Sequence, residues 1–128
     1  MDRKTSIPYR RTDGTGHALE TAVLVELERR KGERAYVRTA SGAEVDFLAT
    51  PLTDRPALIQ LCADMSDAST RQREFRSLTE AMSEHKRLNA LVLTATSTGI
   101  SHAQAEAPKG VTVRPAWEWM LEGGNALV

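Results

Sequence analysis

Between residues 17 and 32 apolar side chains recur at helical spacing. Leu19, Val23, Leu24 and Leu27 form a stripe, and Gly32 stands where a helix end favours glycine, so the pattern predicts a helix over 17–31. Glu20 interrupts that stripe, with Val23, Leu24 and Leu27 at i+3, i+4 and i+7, whereas Glu26 and Glu28 are expected to project away from it. The period then changes from helical to alternating. Runs at 34–38 and 44–49 read as strands joined by a Ser41-Gly42 turn, and a second turn is expected at 53–56. Ala57 to Cys62 is almost uniformly apolar, which suits a central strand covered on both faces. A polar loop at 64–70, rich in N-cap residues, leads into a helix over 70–88 with Phe75, Leu78, Met82 and His85 on one face. Residues 90–96 and 111–113 are strand-like, with a polar loop between them. Pro115 is expected to open a last short helix carrying Trp117, Trp119, Met120 and Leu121. Residues 1–16 show no period and read as a flexible lead-in to one domain over 17–128.

The expected order is α-β-β-β-α-β-β-α. Antiparallel strands followed by a helical crossover make an α/β domain with a mixed sheet flanked by helices. Composition adjusts this picture only slightly. A chain of 128 residues, 41% hydrophobic and 27% charged, is long enough for one modest core and too short for two. Its net charge of zero removes any general attraction to nucleic acid, leaving only local basic clusters such as Arg71 to Arg76. A single cysteine, Cys62, excludes an internal disulfide. No apolar run approaches the roughly 20 residues a membrane span needs, and the polar, basic N-terminus is unlike a secretory signal, so a cytoplasmic location is expected.

Three side chains break the burial pattern, and each can ligate a metal. Asp46 lies in a strand where Val45 and Phe47 are expected to share one face and Glu44, Asp46 and Leu48 the other. Under a covered sheet it needs a partner or a cation; at an exposed edge it needs neither. Gln60 sits among Leu58, Ile59 and Leu61, where a buried amide either bonds to the core around it or offers its carbonyl to a hard cation. Glu20 either pairs with Arg34 or Arg38, or joins the other two as a ligand. Oxygen ligands of this kind hold Mg²⁺ or Mn²⁺ in phosphodiester-cleaving sites, where the metal activates water and a nearby lysine steadies the transition state.

Other signals exclude more than they suggest. Gly14-Thr15-Gly16 lacks the remainder of a phosphate-binding P-loop, and His17, His85, His102 and Cys62 lack zinc spacing. Ser41 reads as a turn residue that could touch a phosphate, as could Arg71 and Arg73. Trp117 and Trp119 read as closing the core, with a partner-binding patch as the alternative.

The order Glu20, Asp46, Gln60 on successive elements resembles the PD-(D/E)XK nuclease superfamily, whose restriction-endonuclease-like core carries an acid in the first helix, an Asp on the second strand and (E/Q)xK on the third. The strings GHALETAVLVELERR (16–30), AYVRTASGAEVDF (35–47), ALIQLCADMSDASTRQREFRSL (57–78) and VRPAWEWML (113–121) resemble more closely the DUF4143 domain, a nuclease-like module found behind AAA-type ATPases. That resemblance implies metal ligation by Glu20, Asp46 and Gln60, assistance from Arg38, and an ATPase module or DNA as partner. The motif lysine is replaced by Cys62, which supplies no fixed positive charge. The implied function is therefore a nuclease-like domain with a degenerate site and weak or no phosphodiesterase activity, the alternative being a non-catalytic binding or assembly module.

Overall fold

The computed structural model describes residues 14–30, 33–50, 56–85 and 88–122. The elements are α1 (Gly14–Arg29), β1 (Glu33–Arg38), β2 (Glu44–Thr50), β3 (Ala57–Leu61), α2 (Ala68–Glu84), β4 (Asn89–Thr94), α3 (Ile100–Glu106), β5 (Val111–Pro115) and α4 (Ala116–Glu122). The five strands lie in sequence order, with β1–β2 and β2–β3 antiparallel and β3–β4 and β4–β5 parallel. The sheet is mixed, as its sequence pattern implied.

One short helix departs from expectation. Residues 97–110 were expected to form a polar loop, yet Ile100–Glu106 is helical and turns the β4-to-β5 connection into a crossover, which is why those strands run parallel. Its polar sequence buries only Ala103, so it leaves almost no apolar period to read. Its start depends on Gly99, whose φ of 80° favours glycine, and a Cβ there would come within 2.8 Å of the Ser66 backbone. Pro115 ends β5 instead of opening α4. The first helix begins at Gly14, inside the expected lead-in; residues 1–13 and the expected turn at 53–55 lie outside the described residues.

Two cores flank the sheet. On one side Leu19, Val23 and Leu27 of α1 pack with Ile59 and Leu61 of β3, Leu91 and Leu93 of β4, and Trp119 of α4. On the other, Phe75, Leu78 and Ala81 of α2 pack with Leu58, Val92 and Val113. All five residues of β3 are buried, consistent with its uninterrupted apolar run.

Glu26 was expected to point away from the α1 stripe, but it is buried. Arg30 explains why: its Nε donates to Glu26 at 2.7 Å, its Nη2 donates to the Trp119 carbonyl at 2.8 Å, and its guanidinium lies 4.3 Å from the Trp119 ring. The bonds from Arg29, and then those from Arg30, hold the Glu26 carboxyl below its usual range. This buried pair ties the end of α1 to α4. Asp67 caps α2 by accepting the Thr70 N–H at 3.0 Å.

Candidate functional site: a polar clasp at a strand bulge

Against β1, the ladder of β2 slips by one residue. Val37 pairs with Val45 and Ala35 with Leu48, so β2 advances three residues where β1 advances two. The extra residue falls at Asp46-Phe47, the signature of a β-bulge. Its effect is to separate two side chains expected on one face: Val45 joins the α2-side core, whereas Phe47 packs on the α1 side.

On the β3 side, regular pairing of β2 ends at Phe47 and Ile59, and side chains continue the hydrogen bonding in place of the ladder. The Asp46 carboxylate accepts the Leu61 N–H at 2.8 Å, and the Asp46 N–H donates to Gln60 Oε1 at 3.0 Å. Each strand thus satisfies a backbone donor of the other with a side-chain oxygen, as burial requires.

The other end of the Gln60 amide is engaged as well. Its Nε2 donates to Glu74 Oε1 of α2 at 2.5 Å. Gln60 is 1% exposed and Glu74 6%, so both are interior groups, and the Arg73 guanidinium lies 3.6 Å from Glu74. A backbone N–H on one side and a carboxylate on the other fix which way the amide points, because the reverse orientation would set acceptor against acceptor and donor against donor. Asp46, Gln60 and Glu74 therefore form a continuous clasp from β2 through β3 to α2.

Glu74 was not among the candidates read from sequence. The signal was present, because Arg71 and Glu74 occupy the same helical face as Phe75 and Leu78, the kind of anomaly that marked Gln60.

The structure brings Asp46 and Gln60 together and leaves Glu20 elsewhere. Glu20 is half-buried on the flank of α1, the helix covering the sheet face opposite the one where Gln60 meets Glu74. Arg38 is exposed near the end of β1, opposite Glu44. Cys62, expected from the resemblance to stand in place of a lysine, is half-buried, with its Sγ 3.4 Å from the Asp64 carbonyl and its N–H donating to the Leu93 carbonyl at 3.0 Å.

Of the residues read as phosphate contacts, Ser41 is hydrogen-bonded to the Glu80 carboxylate. Arg71 is buried, donating to both oxygens of Glu106 at 2.8 and 3.1 Å and to the carbonyls of Met65 and Ser66. These bonds lower the Glu106 pKa and raise that of Arg71. Arg73 is largely exposed. Among the described residues, no three His, Cys, Asp or Glu side chains converge on one point.

The described residues form a restriction-endonuclease-like fold: a five-stranded mixed sheet with helices on both faces. Among solved structures, a repair endonuclease from Pyrococcus abyssi matches with a TM-score of 0.53 and 14% sequence identity, over 86% of this chain and 49% of that one. This chain thus spans about half the length of that protein, and at such identity the likeness concerns the fold alone. No family model matches the chain, and neither does any curated protein. No described helix is long and apolar enough to cross a membrane.

Proposed function

We propose that this chain is a DUF4143-like, nuclease-fold domain whose motif positions now hold the sheet together, and that it acts by binding rather than by efficient phosphodiester cleavage. The observation that carries this is the engagement of both ends of the Gln60 amide, by the Asp46 N–H and by Glu74. A catalytic Mg²⁺ centre needs oxygens directed at one shared point, with a cation poised beside them. Here the Gln60 carbonyl is turned to a backbone donor, Asp46 Oδ2 accepts the Leu61 N–H, and Cys62 replaces the lysine. These donors do not fit a nuclease-type Mg²⁺ or Mn²⁺ centre.

The family resemblance makes an AAA-type ATPase module, in the same or a separate chain, the proposed partner. DNA held without cutting is a second reading, supported by the exposed Arg73 and Arg76 of α2. The test is incubation of wild type and Asp46→Ala with plasmid and single-stranded DNA in Mg²⁺ or Mn²⁺. The expected result is no product from either protein. Cleavage by wild type that Asp46→Ala abolishes would refute the proposal.

A further inference from the structure

A sheet edge presents backbone N–H and C=O groups that can pair with a strand from another chain. On β1, one edge of this sheet, Glu33, Arg34 and Arg38 are exposed, and charge on an edge obstructs such pairing. β5, the other edge, has a single charged residue, Arg114, which is held by Glu118 and Glu122. Its protection comes from the backbone. In an extended strand the N–H and C=O of one residue point to one side, and those of the next residue to the other. The Gly110 carbonyl accepts the Ala90 N–H at 2.9 Å, and Ala90 pairs with Val111 in the parallel ladder. Thr112 and Arg114 therefore turn their backbone groups to β4, while Val111, Val113 and Pro115 turn theirs outward. None of these outward positions offers a donor to a sixth strand. The Val111 N–H donates to the Pro108 carbonyl at 3.1 Å, the Val113 N–H donates to Gln104 Oε1 at 2.8 Å, and Pro115 has no N–H. Gln104 Nε2 in turn donates to the Val111 carbonyl at 3.3 Å. One side-chain amide thus gives β5 an acceptor and a donor where a neighbouring strand would supply them.

From this arrangement we infer that Gln104, carried by α3, is an edge guard: it closes β5 to extended segments of other chains and holds the sheet at five strands. This gives α3 a role that its burial alone does not. Only Ala103 of the helix enters the core, and the pair between Arg71 and Glu106 ties it to α2. Together these two attachments set Gln104 against β5. The guard goes beyond the nuclease-fold reading and does not depend on it, because Asp46, Gln60 and Glu74 take no part in it.

Gln104→Ala tests the inference, because alanine is the better helix former and removes the amide without weakening α3. Amide hydrogen exchange of the full chain, followed by NMR, should find Val113 protected in wild type and exchanging roughly tenfold faster in Gln104→Ala. Gln104→Glu keeps an acceptor for the Val113 N–H but has no donor for the Val111 carbonyl, so Val113 should stay largely protected. Sedimentation equilibrium up to about 500 µM reaches the range in which weak strand pairing is populated. There Gln104→Ala should exceed the mass of wild type at matched concentration. Adding Thr112→Lys, which sets a charge at an exposed position of the opened edge, should reverse that gain. Equal Val113 exchange in wild type and Gln104→Ala, equal mass of the two at every concentration, or association that Thr112→Lys leaves intact would each overturn the inference.

Discussion

On the α2 side of the sheet, polar side chains stand where apolar ones are expected, and they are engaged within the chain: Gln60 with Glu74, and Arg71 with Glu106. On the side of α1 and α4, apolar side chains stand where polar ones are expected, and the groove among them is open. The difference separates polar groups used up inside the chain from apolar groups left at its surface. Asp46 and Gln60 are internal partners, and the exposed apolar groove lies across the sheet from the contact between Gln60 and Glu74.

The sharpest way to break this comparison is Gln60→Glu. It sets a second carboxylate against Glu74 in a buried site, and the expected loss is about 3 kcal/mol at neutral pH. One carboxyl of such a pair has a raised pKa, so the penalty should ease as pH falls and the pair takes up a proton, seen as melting temperatures of variant and wild type converging in acid. An undiminished stability at pH 7 would mean that the groups are not held as described.

Next in size is Glu74→Ala. It strands the buried Gln60 donor and is expected to lower stability by about 1–3 kcal/mol, or several degrees in melting temperature. Chemical denaturation of wild type, Glu74→Ala, Gln60→Ala and the double variant should give a coupling between the two positions, because each single change already breaks the contact. Simple additivity would argue against the clasp.

The smallest effect concerns pH. The Glu106 carboxyl is depressed by its bonds from Arg71, and that of Asp67 by the Ser69 hydroxyl and then the Thr70 N–H. A depressed carboxylate contributes its full stabilisation above the unfolded-state value and loses it as pH falls through the folded one. Stability should therefore decline below the ordinary carboxylate values of 4.5 and 3.8, and Glu106→Gln should flatten that decline in acid melts.

Much of the scaffold was legible in the residues. The uniform apolar run at 57–61 announced a central strand, and Asp46 with Gln60 stood out because polarity at buried positions demands a partner. What escaped has physical causes. The bulge at Asp46-Phe47 moves Val45 and Phe47 to different faces, which strict alternation cannot anticipate. The helix at 100–106 buries a single alanine and carries no period. Glu26 looked solvent-facing until Arg30 turned inward onto Trp119. The tryptophans divided, Trp119 entering the core and Trp117 remaining outside. Partner choice for Gln60 was the part least available to pattern, since Glu74 lies 14 residues away on another element.

The central claim is that Asp46 serves the fold and not a cation. Thermal melts of wild type and Asp46→Ala, each with and without millimolar Mn²⁺ or Mg²⁺, test it most directly, because an ion bound only by the folded chain must raise its melting temperature. The account predicts no metal-dependent rise in wild type and a clear drop for Asp46→Ala, whose Leu61 N–H has lost its acceptor. A metal-induced rise in wild type that vanishes in Asp46→Ala would contradict it.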